Sequence, residues 1–527
     1  MNRLYLQKQI KRPVFFVLVI TAFSSVNIKA VAQTTKPVFQ YTVSITDPGK
    51  HYFHVELNSS GWFKETVDIK MPKWMPGYYQ LMNYAKAVEN FSAKDKTGKS
   101  IPVKMINDNT WQISISKKTA FTLSYDVKTE RQFVATSFID SSHAYIVPAG
   151  LFMYADGFIK NPVSVKINSN KQWNKIATGL EPVPGKSNEF SAPDFDILYD
   201  CPLLIGNLEE LPPFKVNGIV HRFIGYKMGG FDRVQFMNNL QKVVKAAVAV
   251  IDDIPYKEYT FIGIGPGRGG IEHLNNTTVS FDGKGLNTES GMNTTMIFLA
   301  HEYFHHYNVK RIRPLELGPF DYDKENRTNL LWVSEGLSVY YEYMIAKRAG
   351  VINEQTLFKN FEKSINAVEN NPGRLYQSLT QASYETWGDG PFGKQGKDAG
   401  KTISYYDKGP VIGLILDLAI RHASQNKRSL DDVMRFLYFQ YYKKLQRGFT
   451  DAEFQQACET QAGISLSSIF ENVYTTKEID YETYLQYAGL KSATEINTEK
   501  AIKIITIHRS DEMNSEQSNI LQSWLDK

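Results

Sequence analysis

Five consecutive residues, His301-Glu302-Tyr303-Phe304-His305, have the types and spacing of a metal-dependent hydrolytic centre. On a helix, positions i and i+4 lie one turn apart on the same face, so two imidazoles can reach one metal ion. Glu302 then points beside the ion, where a general base must stand to take a proton from an attacking water. The chain holds 10 His and 55 acidic residues, and the chance count of an H-[DE]-x-x-H pattern is roughly 0.02. Coincidence is a poor explanation, and two imidazoles and a carboxylate buried together without a metal would be costly. Two histidines do not close a catalytic zinc site, which needs a third protein ligand and an open fourth position. The candidates downstream are Glu335, Glu342 one heptad further on, and Glu316 and Glu325 in the intervening stretch.

Three further segments sharpen the reading. Trp332-Val333-Ser334-Glu335-Gly336 resembles the W-x-x-E-G segment of gluzincin metallopeptidases, which makes Glu335 the expected third ligand, although its distance along the chain from His305 exceeds that in the best-known members. Gly269-Gly270-Ile271-Glu272-His273 resembles the edge-strand motif of gluzincin aminopeptidases. That resemblance implies that Glu272 and Gly270 bind substrate, with the glutamate holding its free α-amine. A carboxylate suits that role, because it pairs with an ammonium in a partly desolvated pocket; the alternative is a solvated glutamate beside a turn. Tyr405-Tyr406-Asp407-Lys408-Gly409 resembles the Y-x-K-G segment of the same enzymes, whose tyrosine donates to the oxyanion of the tetrahedral intermediate. Tyr406 matches by position, with Tyr405 as the fallback.

Together with Pro72-Lys73-Trp74-Met75-Pro76-Gly77-Tyr78-Tyr79 and the run from His301 to Pro314, these segments resemble the glycyl aminopeptidase family of gluzincins. The resemblance implies an N-terminal β domain, a thermolysin-like catalytic domain, one zinc ion, and release of N-terminal residues from peptides, glycine and alanine being favoured in some members. It also implies a C-terminal PDZ domain, but the stretch after Leu490 is shorter than the roughly 50 residues such a domain needs. Residues 491–527 are therefore expected to be an incomplete PDZ domain or a disordered tail.

The elements that must hold these groups can be read from periodicity. From Val38 to about Pro213 apolar residues alternate, as in Tyr41, Val43, Ile45; Phe53, Val55, Leu57; Trp111, Ile113, Ile115; Phe121, Leu123, Tyr125, Val127; and Val163, Val165, Ile167. That is the pattern of half-buried strands and predicts an all-β, sandwich-like domain over 33–212. After Leu211-Pro212-Pro213 the period changes, which predicts a mainly α catalytic domain over 213–490. Its expected helices are Val234 to Ile251, Thr294 to Val309, Leu330 to Ala349, Leu357 to Glu369, Pro410 to Ser424, Leu430 to Lys444, Asp451 to Gln461 and Ser465 to Val473. A buried strand is expected over Tyr259 to Ile264.

Whole-chain properties narrow the setting. With 527 residues, 42% of them hydrophobic, two or more cores are expected. Residues 1–32 read as an export signal: basic residues, a short apolar run from Val14 to Phe23, and Ala30-Val31-Ala32 as the cleavage site. This predicts a periplasmic or extracellular protein, and the run is roughly half of what a bilayer span needs, so no stable membrane insertion is expected. The segment holds enough basic residues, and no acid, to account for the formal charge of +5, so the remainder is near neutral and offers no bulk charge for nucleic acid. Cys201 and Cys458 are too few for a disulfide framework and leave open either one bridge or two free thiols. The predicted activity is zinc-dependent aminopeptidase action on peptides, the competing readings being a zinc endopeptidase with the same centre or a non-catalytic, zinc-containing peptide-binding protein.

Overall fold

The alternating pattern of the first half folds into sheets. The computed structural model describes residues 36–115, 120–394, 396–497, 499 and 502–526, and the expected export signal lies outside them. A seven-stranded sheet runs in the spatial order Glu181–Pro182, Glu189–Ala192, Val163–Asn168, Val38–Ser44, Tyr52–Ser60, Phe121–Lys128, Val88–Asp95. Its pairs are antiparallel except Val38–Ser44 with Val163–Asn168. A four-stranded sheet, Tyr154–Ala155, Thr66–Lys70, Thr110–Ser114, Val103–Asn107, supplies the facing layer. Tyr41, Val43, Val55 and Leu57 from the first share one buried core with Val67, Ile69, Trp111 and Ile113 from the second. Alternation puts these side chains on the inner faces, as a sandwich requires. Ile262, Ile264 and Ile271 of the following sheet join the same core, which welds the β half to the catalytic half.

The second half begins with a six-stranded sheet. Ile219–Gly225, Glu258–Gly263 and Asn276–Phe281 are parallel neighbours, and Gly265–Glu272 closes the edge antiparallel to Asn276–Phe281. Helix Arg233–Ile251 makes the crossover between the first two, with Asp232 as its N-cap and Phe236, Leu240, Val243, Val244, Ala247 and Ile251 buried. Behind the sheet lie the helices. Glu289–Phe304 begins earlier than periodicity predicts, because Thr288 caps it, and ends earlier too. Val309, a β-branched residue at φ 149, cannot belong to the helix that periodicity extends to it. The expected helix from Leu330 is a π-helical turn, Trp332–Gly336, running into an α-helix over Leu337–Arg348. The helix expected from Pro410 starts at Tyr405, where Ser404 Oγ accepts from the Tyr406 N–H. A helix over Leu379–Asp389 adds to those expected.

Leu490–Asn497 and Ile502–Arg509 form a hairpin, and helix Ser515–Asp526 follows. Trp524 is 1% exposed, stacks near Phe361 and donates to Tyr340. Asn366 pairs its amide with both backbone groups of Ile505. The described part of 491–527 is thus a hairpin and a helix whose apolar side chains join the core of the helical half. Cys201 and Cys458 are both buried free thiols, in the β core and the helical core respectively.

Candidate active site

Helix Glu289–Phe304 carries His301 and Glu302, and His305 caps its C-terminus. The His301 and His305 Nε2 atoms are 2.9 Å apart, and Glu335 Oε2 stands 3.2 Å from the latter and 3.7 Å from the former. All three side chains are buried, and each offers one ligand atom within 4.8 Å of the others. The far side of each ring is already engaged. His305 Nδ1 donates to the Asn308 carbonyl at 2.7 Å, and His301 Nδ1 lies 2.8 Å from Glu342 Oε2. Both rings thus turn Nε2 toward the cluster and Nδ1 toward an oxygen behind, the orientation that a metal ligand needs. Two imidazole lone pairs and a buried carboxylate converging on one point fit a divalent cation, and an N/O set of this kind suits zinc.

This geometry sorts the third-ligand candidates. Glu335 is inside the cluster. Glu342 lies outside it, behind His301, with Oε2 2.8 Å from Nδ1. Glu316 accepts from Thr328 and Glu325 pairs with Arg327, both away from the cluster. Burial opposes charge on Glu335, yet the two imidazoles hold its carboxyl well below the ordinary range.

Glu302 is 5% exposed and lies beside the cluster. Burial pushes its carboxyl up to about 7 against the opposing pull of His301 and His305. The edge strand Gly265–Glu272 runs past it. A Cβ at Gly270 would fall 2.5 Å from the Glu302 carboxyl carbon, so only glycine lets the strand approach this closely. Two positions on, Glu272 faces the same side of the strand and is 4% exposed. One of its oxygens, Oε1, is buried without a hydrogen-bond partner.

Tyr406 stands opposite, its hydroxyl donating to Glu335 Oε2 at 2.9 Å. Tyr405 instead bonds Thr386 at 3.0 Å, so the fallback tyrosine turns away from the cluster. The turns bearing Glu335 and Tyr406 meet through bare backbone: a Cβ on Gly409 would lie 2.4 Å from the Gly336 Cα. That contact explains why a glycine follows the ligand in one motif and the lysine in the other.

Sequence reasoning missed Tyr79, whose hydroxyl donates to Glu335 Oε1 at 3.1 Å. Its only signal was membership of the Pro72 to Tyr79 run. It also missed Asn308, whose amide bonds the carbonyls of Val333 and Ser334 and so straps the helix end to the π-helical turn that bears Glu335. His306 is packed among Tyr256, Tyr259, Tyr303 and Tyr307, away from the ligands, and burial keeps it neutral.

Known proteins resemble this chain in both halves. The family model described as Peptidase M61 N-terminal domain matches residues 40–207, and that described as M61 glycyl aminopeptidase matches residues 294–412. Among solved structures, an aminopeptidase N family protein from Idiomarina loihiensis superposes with a TM-score of 0.81 at 27% identity, over 87% of this chain and 80% of that one. An M1 zinc metallopeptidase from Deinococcus radiodurans superposes with a TM-score of 0.52 at 13% identity, over 84% of this chain and 95% of that one. A variant of that enzyme, solved with a Tyr-Ser-Ala substrate, superposes equally well. These more distant matches speak for the fold. No curated protein sequence matches the chain.

Proposed function

Since the chain belongs to the M61 glycyl aminopeptidase family and is a peptidase, we propose that it is a zinc-dependent aminopeptidase that removes N-terminal residues from peptides. His301, His305 and Glu335 would hold one zinc ion. When bound, zinc supplies Lewis acidity toward a carbonyl oxygen and acidifies water. The protein's own groups do the rest. Glu302 takes the proton of the attacking water and passes it to the departing amine, a role its depressed acidity suits. Tyr406 turns its hydroxyl from Glu335 to the oxyanion that forms at the scissile carbonyl. Glu272 takes the substrate's ammonium, and Gly270 keeps the wall between anchor and base free of side chain.

The observation that carries the aminopeptidase reading is the spacing along the edge strand. Gly270 touches Glu302, and Glu272 lies two residues on, about 6.8 Å along the strand. That distance accommodates the amine-to-carbonyl length of one residue plus a charge-assisted hydrogen bond of about 2.8 Å. An endopeptidase would need the chain to continue through the space where Glu272 stands buried.

The test compares one peptide with a free and with an acetylated N-terminus, before and after metal chelation. Cleavage of the free form alone, lost with chelator and restored by zinc, is the expected result. Equal cleavage of both forms would make the protein an endopeptidase. We also propose export to the periplasm or the extracellular space, on the strength of residues 1–32; N-terminal sequencing of the mature protein should find Gln33. Among the described residues, no helix is long and apolar enough to cross a membrane.

A further inference from the structure

Behind Glu272 lies a second set of charges that neither the metal centre nor the proposed chemistry uses. The Lys310 ammonium stands 2.9 Å from Asp200 Oδ1 and 3.9 Å from Glu272 Oε1. None of the three side chains is more than 7% exposed. Asp200 holds its place through the Leu274 N–H, which donates to Oδ2 at 2.6 Å, and through His273 Nδ1, 3.2 Å from Oδ1. Burial holds His273 neutral. Burial alone would also depress the Lys310 ammonium, but Asp200 and then Glu272 keep it above the ordinary lysine value. The cluster thus joins two acidic side chains through one lysine, with the Arg313 guanidinium also acting on Asp200 and Lys310; a buried carboxylate oxygen left unbonded is costly until a donor completes it.

The position of Lys310 decides what can reach the open oxygen of Glu272. A lysine bonded to Glu272 would fill the anchor with the protein's own ammonium. Asp200 draws it away: 2.9 Å is a hydrogen bond and 3.9 Å is not. Glu272 Oε1 is left without a hydrogen-bond partner, with Lys310 held 3.9 Å away.

We infer that Asp200 is a positioning residue which withholds Lys310 from Glu272, so that Oε1 of the anchor stays open for the N-terminal ammonium of a peptide. The inference rests on Glu272 being the amine anchor. It makes the Asp200–Lys310 pair a determinant of KM: the substrate's ammonium supplies the missing donor to Glu272 Oε1, and the protein's own lysine is the competitor kept out.

The experiment uses the full-length, zinc-loaded enzyme and glycyl 4-nitroanilide. Asp200→Asn keeps an acceptor for the Leu274 N–H but loosens Lys310, which can then pair with Glu272. If that closed pairing is populated about ten to one, KM rises about tenfold, with kcat at saturation close to that of the parent. Adding Lys310→Met to that variant removes the competitor and should bring KM back toward the parent value. A structural role would predict the reverse, since the double variant loses more of the buried network. Lys310→Arg leaves Asp200 intact yet can bond both carboxylates through its fork, so it too should raise KM; a structural role would be rescued by it. An unchanged KM in Asp200→Asn or in Lys310→Arg, or a double variant no better than the single, overturns the inference. Glu272→Gln is measured alongside. If it keeps the parent KM, the anchor reading itself fails; if it loses affinity while the other variants do not follow the pattern, only the role of Asp200 fails.

Discussion

The two walls of the site are built differently. On the helical wall the ligand-type groups have protein partners behind them: His305 bonds Asn308, His301 lies 2.8 Å from Glu342, and Glu335 accepts from two tyrosines. On the edge-strand wall, Glu272 keeps an oxygen with no hydrogen-bond partner, and Gly270 offers bare backbone. One wall is backed by the protein's own groups, as suits a metal centre. The other is deliberately incomplete, and an incomplete buried carboxylate is what a cationic ligand can finish. The contrast separates the part of the site that performs the reaction from the part that selects what enters.

The strongest way to break this division is Glu302→Gln. It leaves the three candidate ligands untouched, so zinc content should stay at the parent level. No group would then take a proton from the attacking water, and kcat should fall by up to roughly 10⁴-fold. Metal analysis and steady-state kinetics on one preparation check both halves. Retained turnover with zinc bound would move the base elsewhere.

Next in size is Tyr406→Phe. The hydroxyl stabilises only the developing oxyanion, so kcat should drop roughly 10²- to 10³-fold with little change in KM. A rise in KM at constant kcat would place Tyr406 with the selecting wall instead.

Glu342→Gln probes the backing of the helical wall. It weakens the partner on His301 Nδ1 without removing a ligand, so zinc affinity should fall about 10- to 100-fold. Competition with a chelator of known affinity measures the loss, and activity should recover in excess zinc. If Glu342→Gln instead changed kcat in the fully loaded enzyme, the carboxylate would take part in the reaction.

How much of this was legible in the sequence follows from how local each feature is. The i, i+4 histidines, the glutamate between them and the alternating strands are set by the backbone's own periods, and they could be read directly. The place of Glu335 came from a short motif. The function of Glu342 did not, because the π-helical turn at Trp332–Gly336 shifts the helix face after Glu335, and nothing in a residue count announces such a turn. Tyr79, Asp200 and Lys310 reach the site from distant parts of the chain, and only tertiary packing joins them. Helix Leu379–Asp389 escaped because its buried face is made of Leu379, Ala382, Ser383, Thr386 and Trp387, small and polar enough to blur the apolar stripe; its capping box, Ser378 with Gln381, was the one readable signal. The hairpin and helix of the tail are hard to read for another reason: their apolar side chains, among them Ile505, Ile507, Leu521 and Trp524, join the helical core, so their order depends on tertiary packing.

The smallest expected effect belongs to Tyr405→Phe, and it sharpens the comparison by contrast with its neighbour. Tyr405 and Tyr406 occupy the first turn of one helix, have rings 5.0 Å apart and differ only in what their hydroxyls meet. Tyr405 bonds the Thr386 hydroxyl at 3.0 Å inside the core, whereas Tyr406 faces the ligand Glu335. Removing the Tyr405 hydroxyl leaves one buried Thr hydroxyl free to rotate to another acceptor, so the cost should be about 1 kcal/mol of stability. For a chain of this size that is a shift in Tm of about 2–4 °C at most. Zinc content, kcat and KM should all match the parent, since the ring still packs and the Ser404 cap that starts the helix is untouched. Thermal denaturation and kinetics on the same sample decide it. A large fall in kcat for Tyr405→Phe, with Tyr406→Phe nearly silent, would exchange the roles of the two tyrosines and turn the helical wall's first turn to face the substrate by its other side.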